Sequence, residues 1–413
     1  FSYNGLFCSV DILKNQGGNQ VEIYEVKSST SVKDIYYDDA AYQCYVLTQL
    51  GYKVKRVCIV HIDNHYERFG ELDIHKLFHT EDISSDVFAL QPEVEHNLKN
   101  LEKYMQQKQE PCDGIGTHCF SPYECGFFGY CTRELPKPNI FDVAGARLST
   151  KFKCYEKGLI SFEDLNTCDA LSAGQYKQIE HELFNYPPHI DKEAIRIFLR
   201  NLSYPLYFLD FESFQPAVPL YDRSKPFEQI VFQYSLHYIE HEGGELKHTE
   251  HLAYPGVDPR RALAEQLCRD IPMDVCTTAY NMGFEKGRIK GLAELYPDLA
   301  EHLMNIHDNI QDLMIPFQKK YYYSKAMQGS YSIKYVLPAL FPDVPSLDYH
   351  NLEGVHNGGE ASATFKKMTT MEPEELEEYR RYLLKYCGLD TFAMVKVWEK
   401  LNEVSGNNLK KTW

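Results

Sequence analysis

Leu206-Tyr207-Phe208-Leu209-Asp210-Phe211-Glu212 is an apolar run that ends in two carboxylates set two residues apart. Side chains alternate across a strand, so this spacing predicts a buried strand whose end presents Asp210 and Glu212 on one face. Paired carboxylates at a strand end are suited to divalent cations. Many strands also end in acidic turn residues, so the pair needs support from elsewhere in the chain.

Working outward, further strands are predicted at Ile230 to Tyr238, His248 to Ala253 and Val275 to Tyr280, with helices at Arg260 to Arg269, Gly283 to Leu295 and Glu374 to Leu401. The segment Tyr280-Asn281-Met282-Gly283-Phe284-Glu285 falls at a strand-to-helix junction, where Asn281 can fix the turn and Glu285 opens the helix. On the late helix, Tyr386 and Asp390 are four apart and share a face. Asp308 and Asp312 are acidic alternatives to Glu285. The stretch Gln328 to Lys334, with Pro338 beyond it, reads either as a phosphate contact through Lys334 and backbone N–H groups or as a capped helix start.

Strand end, turn and late helix occur in the order in which they resemble the DEDD exonucleases of the RNase H-like superfamily, in the branch with Tyr in the last motif. The resemblance implies that Asp210 and Glu212 form the Asp-x-Glu motif, that Glu285 takes the acidic position after Asn281-x-x-Phe284, and that Asp390 is the final metal ligand. It implies that Tyr386 orients the attacking water; Asn281 and Lys334 are the candidate substrate contacts. The family usually carries Asp where Glu285 stands. The implied chemistry is phosphodiester hydrolysis supported by two Mg²⁺ or Mn²⁺ ions, which favour all-oxygen ligands.

Toward the N-terminus, strands are predicted at Leu6 to Val10 and Val21 to Val26 around a polar turn, Asn15 to Asn19, followed by a helix from Tyr36 to Leu50 and a strand from Lys53 to Ile62. Asp11, Glu25 and Lys27 make Asp-x(13)-Glu-x-Lys, with Glu25 and Lys27 on one strand face. Alone, Glu-x-Lys is usually a solvated face. With Gln43 on the next helix, and Tyr45 or Tyr42 beside it, the set resembles the RecB-like nucleases of the PD-(D/E)xK superfamily, implying a metal held by Asp11 and Glu25 with Lys27 and Gln43 completing the site. Family members usually place Tyr four residues after Gln, where this chain has Leu47.

A charged helix, about Val94 to Gln107, leads to Cys112, Cys119, Cys125 and Cys131, four of the 12 cysteines within twenty positions. Their density suits one thiolate-held centre. Similarity to CRISPR-associated and AddB-type nucleases implies a [4Fe-4S] cluster on Cys119, Cys125 and Cys131, with zinc as the alternative. The fourth ligand is either Cys112 or a residue upstream of Phe1, where the reading expects further chain.

The expected architecture is α/β throughout: a RecB-like PD-(D/E)xK restriction-endonuclease-like domain at 1–132, a helical connector at 133–203 and an RNase H-like DEDD exonuclease domain at 204–413. In this combination the chain resembles an uncharacterised prokaryotic family fusing the two. Its 413 residues suit two or three domains, and 44% hydrophobic content argues against disorder. The net charge of -16 argues against a protein that coats nucleic acid through a broad basic face. It leaves a nuclease open, because bound cations supply the positive charge. No stretch approaches the roughly 18 consecutive apolar residues of a membrane span, and a cytoplasmic location without a membrane partner is expected. The expected function is a dual-site nuclease of repair, recombination or defence, with DNA ahead of RNA as substrate. The alternatives are an RNA exonuclease and a scaffold subunit with weakened catalysis.

Overall fold

Alternating burial along Gln20–Lys27 shows what builds the first sheet: Val21, Ile23 and Glu25 are buried on one side of the strand. The structure is a computed structural model that describes residues 1–111, 113–166 and 168–407. The chain divides into two compact units, residues 1–128 with 215–228, and residues 129–214 with 229–413.

In the first unit, β1 (Ile12–Gly17) pairs antiparallel with β2 (Gln20–Lys27), β2 parallel with β3 (Lys53–Ile62), and β3 antiparallel with β4 (Phe78–Asp82). The parallel pair requires a crossover, supplied by α1 (Asp34–Gln49). Ala40, Ala41, Cys44 and Leu47 of α1 pack on Ile23, Val57 and Ile59, so α1 covers the face that bears Glu25. The expected strand at Leu6 to Val10 shrinks to the two-residue Leu6–Phe7, and pairing instead runs from Ile12 into the expected turn. Gly17, Gly18 and Asn19 have φ of 88°, 56° and 61°, so the reversal is confined to residues that tolerate left-handed backbone. Residues 215–228 fold onto this unit, where the Arg68 guanidinium donates to the carbonyls of Pro219 and Leu220.

In the second unit, helices α2 (Leu148–Glu156), α3 (Ala173–Phe184) and α4 (Lys192–Leu199) precede a five-stranded sheet. Its strands are β5 (Leu206–Phe214), β6 (Ile230–Ile239), β7 (Lys247–Leu252), β8 (Cys276–Ala279) and β9 (Ile310–Asp312). They lie in the order β7-β6-β5-β8-β9. The first three form an antiparallel meander, and β8 and β9 run parallel to β5.

One sheet face, with Tyr207, Leu209 and Phe211, packs on α5 (Arg260–Asp270), α6 (Gly283–Leu295) and α7 (Ala300–Asp308). The other carries Phe208, Asp210 and Glu212 and meets α9 (Gly358–Lys367) and α10 (Pro373–Ser405). A shorter helix, α8 (Ile333–Leu340), precedes them. Phe365 of α9 stacks on Phe232 at 4.0 Å and Trp398 of α10 meets Phe208 at 5.9 Å, contacts of about 0.5–1.5 kcal/mol each beyond their burial. The architecture is mixed α/β. Among the described residues no helix is long and apolar enough to cross a membrane.

Candidate metal centre and a second polar site

The register of α10 over the sheet decides the carboxylate geometry, and polar contacts set it. Opposite β5, the β6 residues Gln233, Ser235 and His237 pair with Glu212, Asp210 and Phe208, and so share the acid-bearing face. Gln233 Nε2 donates to Leu383 O at 2.8 Å, while Ser235 Oγ and His237 Nδ1 each lie 2.7 Å from the Thr391 hydroxyl. These buried bonds fix α10 lengthwise, because a slip by one residue would leave several polar groups unpaired at about 1–3 kcal/mol each. Asp390 precedes Thr391 and Tyr386 lies one turn earlier, so both are aimed at the strand end.

There, ligand oxygens of Asp210, Glu212 and Asp390 lie within 4.8 Å of one another. Glu212 is buried, whereas Asp210 and Asp390 keep a partial opening to solvent. Burial, then repulsion by Asp390, Glu212 and Glu285, pushes the Asp210 carboxyl well above the usual range. Burial and Asp390 raise Glu212 to about 8, and burial raises Asp390 to about 6 against the opposing pull of Tyr349, Lys334 and Tyr386. Such mutual elevation marks a concentration of negative charge that Lys334 only partly offsets.

Glu285, in the first turn of α6, is buried and raised to about 8, first by burial and then by Asp312. Its Oε2 is buried with no hydrogen-bond partner. Asp312, weighed above as its alternative, is committed to the backbone: Oδ1 accepts from the N–H groups of Asn281 at 3.0 Å and Met314 at 2.9 Å, and Oδ2 from Met282 at 3.3 Å. It therefore holds the turn in which Asn281 adopts φ 72°. Asp308 is exposed and bonds His307.

Tyr349, which carried no signal in the sequence, is buried and donates its hydroxyl to Asp390 Oδ1 at 2.7 Å. Tyr386 is also buried, and its hydroxyl helps to lower the Asp390 carboxyl. Tyr349 and Lys334 line a cavity of about 1010 Å³ together with Phe341, His356, Asn357 and Glu360. Lys334 is exposed in the first turn of α8, where Ser332 provides no side-chain cap. At Gly329, in the loop before α8, φ is +78° and a Cβ would collide with the Gln178 carboxamide, so glycine is required.

The donors are carboxylates, with an orphaned oxygen on Glu285 and charges that raise one another, and this chemistry fits Mg²⁺ or Mn²⁺. Asp210, Glu212 and Asp390 form a group able to hold a cation.

In the first unit, Lys27 Nζ bridges Glu25 Oε1 at 2.9 Å and Asp39 Oδ2 at 2.5 Å, and Gln43 Nε2 reaches Asp39 Oδ1 at 3.3 Å. Burial pulls the ammonium down, but the hydrogen bonds and charges of Asp39 and Glu25 outweigh it and raise Lys27 to about 12. Lys27 is thus held as an ammonium by its two carboxylates. Exposed Asp11 accepts the Val26 N–H through Oδ2 at 2.9 Å, beside Glu25. Glu25 Oε2 and Gln43 Oε1 are buried without partners. Asp39 was not anticipated, although its place one turn before Gln43 was legible. Tyr42 donates to the Phe7 carbonyl, Tyr45 is half-buried, and the ring over Lys27, at 5.3 Å, is Tyr36.

Cys119 is buried in the first unit and its carbonyl accepts the N–H of exposed Cys125 at 2.7 Å. Cys131 is exposed in the second unit. Cys112 lies outside the described residues.

Comparison with known proteins finds a family model that matches the part of the chain holding the carboxylate strand. The model for a domain of unknown function (DUF2779) matches residues 207–332, a stretch that holds Asp210, Glu212 and Glu285 but ends before Tyr386 and Asp390. An uncharacterised protein of Ureaplasma parvum is 29% identical over 234 residues, covering 50% of this chain and 32% of the relative. Another of Mycoplasma genitalium is 26% identical over 206 residues, covering 46% and 31%. The matched part thus spans about a third of the length of these curated relatives.

Proposed function

We propose that the chain is a metal-dependent nuclease whose second unit removes nucleotides from 3' ends, with DNA as the favoured substrate, and whose first unit carries a separate RecB-like site. The observation that carries this reading is the convergence of Asp210, Glu212 and Asp390 within 4.8 Å, with Glu285 raised beside them. The antiparallel meander extended by two parallel strands also supports the RNase H-like reading.

Asp210, Glu212, Glu285 and Asp390 would hold the cations, which when bound supply the positive charge that meets the phosphate and stabilises the departing 3' oxygen. The protein's own groups do the rest. Tyr386 keeps its proton, because burial and then the surrounding carboxylates hold its hydroxyl far above the usual phenol range. It can therefore donate to Asp390 or to a water in line with the scissile bond. Tyr349 steadies Asp390 from the cavity side. Lys334, on the cavity rim, offers a point charge to phosphate, and the cavity is large enough for a terminal nucleotide. In the first unit, Asp11 and Glu25 would hold a cation while Lys27 and Gln43 orient water and phosphate.

The density of thiols from Cys112 to Cys131 supports an iron–sulfur or zinc centre, which visible absorption and metal analysis of the purified protein would reveal.

The test uses end-labelled single- and double-stranded DNA and RNA with Mg²⁺, Mn²⁺ or EDTA. Stepwise 3' products that vanish in Asp210→Ala and persist in Lys27→Ala support the assignment. Cleavage of RNA alone would shift the substrate to RNA. Intact substrates under every condition would replace the nuclease reading with that of a binding scaffold.

A further inference from the structure

A second metal chemistry is laid out on the first unit's sheet. β4 is an edge strand, and its antiparallel register sets His79 opposite His61 of β3, with Glu81 two residues further on the same face. The three side chains bring one ligand atom each within 4.8 Å of one another. The two imidazoles lie 5.2 Å apart, and His61 Nε2 is 4.0 Å from Glu81 Oε2.

His61 is buried and its tautomer is fixed by chemistry. Nδ1 lies 3.2 Å from the Ile62 carbonyl, which can only accept, so in the metal-binding, neutral form of the ring Nδ1 carries the proton and Nε2 presents its lone pair. A backbone carbonyl orienting the far ring nitrogen is the arrangement that metal-ligating histidines use. The Nε2 lone pair therefore faces a carboxylate oxygen, an opposition that a cation between them would relieve. Lys27 is the register partner of His61 on the other side, but its ammonium is engaged by Glu25 and Asp39.

We infer that His61, His79 and Glu81 form a site for a late transition metal of the Zn²⁺ class, with a fourth position open to solvent. Two imidazoles and one carboxylate select Zn²⁺, Co²⁺ or Ni²⁺ over Mg²⁺, which prefers oxygen alone. At Zn–N distances of about 2.0–2.1 Å, tetrahedral ligands stand about 3.3 Å apart, so binding asks only modest side-chain rotation from the present 4.0 Å. The ion staples edge strand β4 to β3, adding to the backbone ladder and to the Arg56–Asp82 ion pair at 2.7 Å. This site is independent of the nuclease reading, since its ligands belong to neither carboxylate set.

The full-length protein, stripped with EDTA, is titrated with Co²⁺ as the spectroscopic probe and with Zn²⁺ by calorimetry and thermal melting. Wild type should take up one equivalent more than His79→Ala or Glu81→Gln. The difference spectrum should show tetrahedral d–d bands without thiolate charge transfer. Zn²⁺ affinity at this site should fall at least tenfold in both variants, with the zinc-dependent gain in melting temperature lost. Asp210→Asn and Cys125→Ser should retain that equivalent. The two variants alter solvent-facing side chains, and should His79→Ala misfold, the isosteric Glu81→Gln carries the test. Equal stoichiometry in wild type and Glu81→Gln, or no tetrahedral Co²⁺ signal, overturns the site.

Discussion

The two polar sites solve the problem of buried charge in opposite ways. In the second unit, Asp210, Glu212, Glu285 and Asp390 repel one another, with the ammonium of exposed Lys334 as a distant counterweight. In the first unit, Lys27 sits between Glu25 and Asp39 and offsets one of their two charges from within. A site built of carboxylates alone leaves its whole charge to cations, whereas a site with its own lysine offsets part of that charge beforehand. The difference predicts that metal removal and charge deletion fall hardest on the second unit.

The largest expected effect is on activity. Asp210→Asn should lower stepwise 3' cleavage by at least about a thousandfold, equivalent to about 4 kcal/mol of transition-state stabilisation. The same change should stabilise the metal-free protein, by about 1–3 kcal/mol at a pH where the carboxyls ionise, because it removes one of several mutually repelling carboxylates. Opposite signs for activity and metal-free stability would sharpen the contrast. A destabilised Asp210→Asn protein would break it.

Next comes pH. The raised carboxyls bind protons in the folded state that the unfolded chain has already released, so their stabilising contribution is full below about pH 4 and declines as pH rises through about 6 for Asp390 and about 8 for Glu212 and Glu285. Metal-free protein should therefore lose stability between about pH 5 and 8. Mg²⁺ should restore more of it at pH 8 than at pH 5, as melting curves at several pH values would show. An Mg²⁺ effect that shrinks with rising pH would contradict the carboxylate centre.

Much of this site was legible because its parts obey short periods. Asp210 and Glu212 follow the two-residue repeat of a strand, and Tyr386 and Asp390 the four-residue spacing of a helix. The α/β class and the span Lys53–Ile62 were likewise readable from runs of apolar residues. What spacing could not convey is which strands adjoin, and hence the order β7-β6-β5-β8-β9 or the pairing of His61 with His79. Tyr349 escaped notice because it lies among short 3₁₀ turns with no repeat to read. Strand pairing from Ile12 rather than Leu6 depended on tertiary contacts that local propensity does not encode.

Tyr349 offers an intermediate test. Its hydroxyl draws the Asp390 carboxyl downward, so Tyr349→Phe should raise Asp390 further and move the acid limb of the pH–activity profile to higher pH. Cleavage at neutral pH should fall about tenfold, with a loss of about 1 kcal/mol in stability. A lowered rate with an unmoved profile would reduce Tyr349 to a cavity wall.

The smallest effect should come from Asp39→Asn in the first unit. Asn keeps a hydrogen-bond acceptor for Lys27 but removes one of the two charges that outweigh burial of its ammonium. Lys27 should then titrate lower, and because its raised value stabilises the fold at all pH values below it, the loss should already be present at pH 7. The ion pair is partly exposed, Lys27 at 19% and Asp39 at 40%, so screening limits that loss to about 1 kcal/mol. Stepwise 3' cleavage should be unchanged, since no group of the second unit is touched. If Asp39→Asn instead cost as much as removing a carboxylate from the second unit, the first site would owe its stability to one charge pair, and its partial internal neutralisation by Lys27 would have to be abandoned.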